Sequence, residues 1–167
     1  MSRYAELSIN AGQWSKRHYD HVRLCSRFAQ EIARRYSDYL GAPAGAVRFI
    51  GLRTPGLEFD DDTRPLQEPP KIVCGHAGVN YFGIVTSFPG TGTFGAEDRF
   101  HLGLRREPAA WEVSWDEKTF SIPLNDLSKL DGLFEGVVKA SMAVYVSDVW
   151  ATSKSIGFLP IESASEE

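Results

Sequence analysis

The longest regular pattern of apolar positions has the period of an α-helix and extends from Trp14 to Leu40. When successive residues are placed about 100° apart, the apolar ones fall on one side of the helix. They are Trp14, Val22, Cys25, Phe28, Ala29, Ile32, Ala33, Tyr36 and Leu40. Gly41 and Pro43 then stop the pattern, because glycine readily takes a left-handed cap and proline cannot continue a helix. The pattern predicts a long helix that packs on a core through this one side.

The segment before this helix has a different period. In YAELSIN, residues 4–10, the apolar residues Ala5, Leu7 and Ile9 alternate with polar ones. Alternation of this kind is typical of a half-buried strand. The sequence therefore predicts a first strand over residues 4–10, ended by Ala11 and Gly12.

The middle of the chain consists of short runs that suit β-strands. AVRFIGL (46–52), KIVCG (71–75) and VNYFGIVTSF (79–88) are three such runs. Three more, RFHLGLRR (99–106), AAWEVSW (109–115) and KTFSIPL (118–124), alternate and are joined by short polar turns, which predicts an antiparallel meander with one buried face. The residues predicted to point inward are Phe100, Leu102, Trp111, Val113, Phe120 and Ile122. Those predicted to form a polar outward face are Arg99, His101, Arg105, Glu112, Ser114, Thr119 and Ser121.

The last third of the chain predicts a second helix and completes the fold. It begins after Asn125 or Asp126 and continues to Trp150, with Leu127, Leu130, Phe134, Val137, Ser141 and Tyr145 at helical spacing. A final strand is expected at 155–161, before an acidic tail at 163–167. The order of elements predicts one α+β domain over residues 1–162. Its antiparallel sheet has five to seven strands, on which the long N-terminal helix and the C-terminal helix pack.

An acidic, proline-rich segment, EFDDDTRPLQEPPK, occupies residues 58–71. We interpret it as a loop between strands, stiffened by its prolines. Such a loop is either a solvated surface or a device for attracting a basic partner, whose approach clustered acids would accelerate. The predicted partner-binding residues are Glu58, Phe59, Asp60, Asp61, Asp62 and Glu68 from this segment, with Arg99, His101 and Glu112 from the outward face of the meander.

Composition narrows the classes of function. The 167 residues carry a formal net charge of -4, which disfavours broad attraction to nucleic acid or anionic lipid. The first residues, MSRYAELSIN, lack the apolar stretch of a signal peptide, and no run reaches the roughly 18 apolar residues of a membrane span. A cytoplasmic protein without membrane contact is expected. The two cysteines are expected to be reduced, and neither a cofactor nor a metal is predicted.

Three groups of residues suggest chemistry without completing a motif. His18 and His21 lack a third metal ligand, so we interpret them as packed or hydrogen-bonded. Cys74 and His76, with His101, allow an alternative hypothesis of a small enzyme with a thiol nucleophile. The glycines at 90, 92 and 95 have G-x-G-x-x-G spacing, but a strand and not a helix is predicted to follow them, which favours a turn-rich loop.

Basic residues of the first helix give a third, least favoured hypothesis. Lys16, Arg23, Arg27 and Arg34 share a narrow band opposite the core, as a nucleic-acid-binding module would require. Neighbouring acids dilute the band, and the pairs Arg27/Glu31 and Arg34/Asp38 explain it as a solvated helix face.

Two stretches resemble a known family. SRYAELSINAGQWSKRHYD (2–20) and FSIPLNDLSKLDGLFEGVV (120–138) resemble the immunity family that accompanies restriction-endonuclease-like toxins of polymorphic and type VI secretion systems. The resemblance implies a non-enzymatic protein that binds one cognate toxin, expected to be a nuclease, and silences it in the producing cell. Inhibition would follow either from occlusion of a basic active-site cleft by Glu58 to Asp62 or from docking elsewhere that blocks the substrate sterically. The resemblance assigns no contact residues and leaves the oligomeric state open.

Overall fold

In the residues that the structure describes, helices and strands do not alternate along the chain: one long helix is followed by seven strands and then a second helix. The computed structural model describes residues 2–54, 56–89 and 95–146. The helices are α1 (Arg3–Leu40) and α2 (Leu130–Val146), and the strands are β1 (Val47–Arg53), β2 (Glu58–Pro65), β3 (Val73–Cys74), β4 (Asn80–Phe88), β5 (Ala96–Arg106), β6 (Ala110–Trp115) and β7 (Lys118–Pro123). Short 3-10 turns occupy His76–Gly78 and Leu127–Lys129. The predicted α+β class is confirmed.

The seven described strands belong to one antiparallel sheet. Its order is β2-β1-β4-β5-β6-β7, with the short β3 pairing beside β4. The predicted meander is confirmed as β5, β6 and β7, in which Leu104 pairs with Val113 and Val113 with Phe120. The order makes β2 and β7 the outer strands of the main path, so β2 is bonded to β1 alone among the strands of that path.

Both helices bury their apolar sides against one face of this sheet. Phe28 of α1 stacks on Trp111 of β6, with ring centroids 4.6 Å apart. Tyr36 lies 5.3 Å from Phe100 of β5 and 5.4 Å from Phe134 of α2, ring centre to ring centre, and so joins three elements. The predicted apolar side of α1 is confirmed from Cys25 to Tyr36.

The predicted first strand at 4–10 is wrong, because these residues form the first turns of α1. Ser2 caps the helix by accepting a hydrogen bond from the Ala5 amide at 3.3 Å. Three alternating apolar residues are too few to decide between periods, since Leu7 also continues the helical spacing toward Trp14. Trp14 was predicted to be buried, but its side chain is 62% exposed.

The acidic segment was also misassigned, because residues 58–65 form the edge strand β2 and not a loop. Leu52 pairs with Phe59 and Ile50 with Thr63, so β2 carries extra residues in a bulge between these pairs. A bulge and Pro65 at the last position are both tolerated at a sheet edge, where a missing ladder hydrogen bond costs little. Pairing with β1 therefore overrides the poor strand propensity of three consecutive aspartates.

The second helix begins close to the predicted position. Asp126 accepts a hydrogen bond from the Ser128 amide at 3.2 Å and so caps a 3-10 turn that leads into α2. The strand predicted to follow the glycine-rich loop is confirmed as β5. The predictions for Gly90 and Gly92, for the helix beyond Val146, for the strand at 155–161 and for the tail at 163–167 lie outside the described residues.

Candidate functional site

The face of the sheet that points away from α1 and α2 is the candidate site, and we call it the open face. Directly paired residues of antiparallel strands project to the same face, so the strand register identifies its members. Gly83 pairs with Ile50 on one side and with His101 on the other. The same register places on this face Arg48, Ile50, Leu52, Phe59, Tyr81, Val85, Glu97, Arg99, His101, Arg105 and Glu112.

Three half-buried rings, Phe59, Tyr81 and His101, form what we call the aromatic group. The His101 ring centroid lies 6.2 Å from those of both Phe59 and Tyr81. The group brings together side chains from β2, β4 and β5. Burial lowers the pKa of His101 below its ordinary value of 6.5, so the imidazole is neutral at pH 7.

Two glycines, Gly83 and Gly103, leave room for large side chains on the open face. A Cβ atom at Gly83 would lie 2.8 Å from Ile50 Cγ2 and 3.3 Å from Leu52 Cδ2. A Cβ atom at Gly103 would lie 2.9 Å from Tyr81 Cε1. Because Gly83 leaves this room, Ile50 and Leu52 are almost fully buried on a face that no described helix covers. The centre of the open face is therefore apolar.

Arginine–glutamate pairs lie at two positions beside this apolar centre. Glu97 binds Arg48 at 3.2 Å and Arg99 at 2.8 Å. Arg105 binds Glu112 across β5 and β6. These side chains are about a third or more exposed, and such pairs contribute only about 0–1 kcal/mol each. They hold a polar rim in place without contributing much to stability.

Four of the nine predicted partner-binding residues meet on the open face: Phe59, Arg99, His101 and Glu112. Tyr81 was missed. Its run, VNYFGIVTSF, predicted a strand but not which face Tyr81 would occupy or that it would lie beside His101. Only the pairing of β4 with β5 shows this.

Asp60 behaves differently from the other predicted acids, because it is only 8% exposed. Its Oδ1 atom accepts a hydrogen bond from the Asp62 amide at 2.9 Å, and its Oδ2 atom lies 3.4 Å from Lys71 Nζ. The carboxylate lies over Gly51 of β1, where a Cβ atom would approach Asp60 Cγ to 2.6 Å. The prediction that Asp60 is presented to a partner is therefore not supported by its position, which is structural.

The remaining acids of the segment are exposed along one edge of the sheet. Glu58, Asp61 and Asp62 lie on β2, and Glu68 follows it. Asp62 pairs with Arg64 at 3.2 Å. We call Glu58, Asp61, Asp62 and Glu68 the acidic edge.

Replacing Asp60 by alanine is expected to lower the free energy of unfolding by about 1–2 kcal/mol, because the Asp62 amide loses its acceptor. Replacing the exposed neighbour Asp61 by alanine removes the same charge and is expected to change it by less than about 0.5 kcal/mol. Urea unfolding of the two variants measures the difference. Equal losses would contradict the structural role of Asp60.

The alternative enzyme hypothesis requires Cys74, His76 and His101 to converge, and in the described residues they do not. Cys74 pairs with Asn80, whose side chain contacts α1, whereas His101 lies on the open face. The Cys74 thiol contacts a different imidazole, that of His18, with Nε2 3.9 Å from Sγ. Within the described ranges, the His76 side chain makes no hydrogen bond, ion pair or ring contact. In the part of the chain that the structure describes, Cys74, His76 and His101 therefore do not form one site.

A second thiol and imidazole meet under α1, but the thiol is inaccessible. His21 Nε2 lies 3.0 Å from Asn80 Nδ2 and 3.7 Å from Cys25 Sγ. Burial raises the pKa of Cys25 to about 11, so its thiol remains protonated. The predicted hydrogen-bonded state is confirmed for His21, whereas the exposed His18 stacks on Trp14, with ring centroids 5.1 Å apart. Among the residues that the structure describes, no three His, Cys, Asp or Glu groups are placed to hold a metal ion.

The basic band of α1 is partly neutralised by ion pairs. Arg34 binds Glu31 at 2.9 Å and Asp38 at 3.2 Å, so the predicted Arg34/Asp38 pair is confirmed. Glu31 binds Arg35 as well, at 2.6 Å, and not Arg27 as predicted. No helix in the described part of the chain has both the length and the apolar character needed to cross a membrane.

Comparison with protein families, curated proteins and solved structures returns no match to this chain.

Proposed function

We propose that this chain is an immunity protein that binds a cognate bacterial toxin through the open face and silences it in the cytoplasm of the producing cell. The observation that carries the proposal is the aromatic group, held half-buried at the centre of the open face with a polar rim around it. Protein interfaces have a comparable arrangement, since aromatic side chains are enriched in their cores and polar residues form their rims.

The acidic edge favours a partner with a basic surface. It borders the aromatic group on the Phe59 side, and the whole chain carries a net charge of -4. A nuclease must attract a polyanionic substrate, so the surface around its active site is basic, and such a surface would be attracted by the acidic edge. A nuclease toxin is therefore the class of partner that we propose.

The two parts of this surface would have different roles in binding. Half-buried rings on a rigid sheet lose little conformational freedom on association, so the aromatic group supplies affinity. Exposed rim charges mainly accelerate the encounter. This division favours docking through the open face, with the acidic edge steering the approach, over occlusion of the active site by residues 58–62 alone.

Neutralising the acidic edge is expected to slow association about tenfold at low salt, with little change in the dissociation rate. The variant combines Glu58→Gln, Asp61→Asn and Asp62→Asn. Its matched control, Asp38→Asn with Asp131→Asn and Glu135→Gln, removes the same charge from exposed positions on the helices. Stopped-flow association rates with the toxin, measured at low and high salt, distinguish the two. An unchanged association rate for the acidic-edge variant would show that the acidic edge does not steer the approach of the toxin.

Co-expression tests the function itself. We expect the protein encoded by the adjacent gene to co-purify with this chain as a stoichiometric complex and to lose its nuclease activity in that complex. An adjacent-gene product that neither binds the chain nor changes its activity on mixing would overturn the proposal.

A further inference from the structure

The N-terminal part of α1, residues 3–20, extends past the sheet, and we call it the arm. All of its residues except Ala5 are exposed. His18, near the end of the arm, reaches Cys74 of β3, and the first buried residue of α1 is Cys25. At about 1.5 Å per residue, the arm is roughly 27 Å long.

A stripe of apolar and aromatic side chains extends along the arm at alternating spacings of three and four residues: Tyr4, Leu7, Ala11, Trp14 and His18. This spacing keeps side chains on one side of a helix. The same stripe continues through Cys25, Phe28 and Ile32, which pack on the sheet. On the arm, however, Tyr4 is 81%, Leu7 68% and Trp14 62% exposed. The contact surface of α1 therefore continues beyond the part of the sheet that it covers.

We propose that the arm pairs with the arm of a second copy of this chain, antiparallel, about a two-fold axis at Ala11. This inference does not depend on the proposed function. In this arrangement, a residue of one arm lies opposite the residue of the other arm that is equally far from Ala11 on the other side, so that, for example, residue 8 lies opposite residue 14. Trp14 then packs between Leu7 and Ala11 of the second copy, and the small Ala11 at the axis lets the two helices approach closely. Two copies of the stripe that run in opposite directions can therefore pack against each other.

Length and charge also fit a second copy. In this arrangement Tyr4 of one arm lies level with His18 of the other, the residue that contacts Cys74 of its own β3. Each arm thus fills the length that the other leaves uncovered. Glu6 and Arg17 lie on the same flank of the stripe, and in this arrangement Glu6 of one copy lies within one residue level of Arg17 of the other, so opposite charges meet at the margin. The pair of arms lies on the helix side of the sheet, away from the aromatic group.

Sedimentation velocity of the full chain tests the pairing, with Leu7→Asp, Trp14→Asp and the control Ile9→Asp. We expect a dimer whose dissociation constant rises at least about 100-fold in each of the first two variants, since each change affects both copies. Ile9 is 50% exposed on the opposite side of the same arm, so Ile9→Asp should leave the dimer intact. Circular dichroism establishes that the variants are folded. A chain that is monomeric at about 100 µM, or a dimer that Leu7→Asp and Trp14→Asp leave intact, would overturn the proposal.

Cross-linking tests the antiparallel arrangement. In a Cys74→Ser background, Ala11→Cys should form a disulfide-linked dimer under mild oxidation, because the two copies of residue 11 meet at the axis. Tyr4→Cys should not, because its equivalent on the second copy lies roughly 21 Å away along the helix. Linkage through residue 4 as efficient as through residue 11 would overturn the antiparallel axis.

Discussion

Replacing Phe28 by alanine is expected to lower the free energy of unfolding by about 3–5 kcal/mol, the largest stability effect that we expect of one substitution. Phe28 is 8% exposed and stacks on Trp111 at 4.6 Å, so its removal leaves a cavity between α1 and β6. Leu24, on the same helix, is 49% exposed. Its replacement by alanine should cost less than about 1 kcal/mol. Urea unfolding followed by circular dichroism compares them.

A loss of several kcal/mol is a large fraction of the stability of a typical domain. If Phe28→Ala does not fold, Phe28→Leu provides the milder test, with an expected loss between those of the other two variants. Similar losses in the free energy of unfolding for Phe28→Ala and Leu24→Ala would contradict the assignment of the Phe28 side of α1 to the core.

Replacing Phe59 by alanine is expected to weaken binding to the toxin by about 2–3 kcal/mol, or roughly 30- to 150-fold. The ring is held beside His101 at the centre of the open face, where contacts are shielded from water in a complex. Isothermal titration of the toxin measures the change. The controls Thr119→Ala and Ser121→Ala remove exposed side chains of β7 on the same face but away from the aromatic group, and should change affinity by less than about 0.5 kcal/mol.

Local patterns predicted the parts of the fold in which one period dominates a long segment. The buried side of α1 from Cys25 to Tyr36 and the alternation of β5 to β7 are of this kind. The first turns of α1 were not predicted, because three alternating residues fit two periods. Strand β2 was not predicted because it depends on pairing with β1, whereas its own aspartates and prolines disfavour a strand.

The sequence predicted the part of the candidate site that depends on the alternation of inward-facing and outward-facing residues along a strand. The outward direction of Arg99, His101 and Glu112 followed from their positions in the meander. Their proximity to Phe59 and Tyr81 depends on the order of strands β2, β1, β4 and β5, which no local pattern contains. The burial of Asp60 likewise depends on Gly51 of β1 and on Lys71, eleven residues later in the chain.

A growth-rescue assay tests the central claim, that the open face binds and silences a toxin. The adjacent-gene product is expressed in a host cell with this chain or with one of two folded double variants. We predict that the native chain and the Thr119→Ala/Ser121→Ala variant restore growth, whereas Phe59→Ala/His101→Ala does not. Full rescue by the variant that lacks both rings, at equal protein level, would contradict the account.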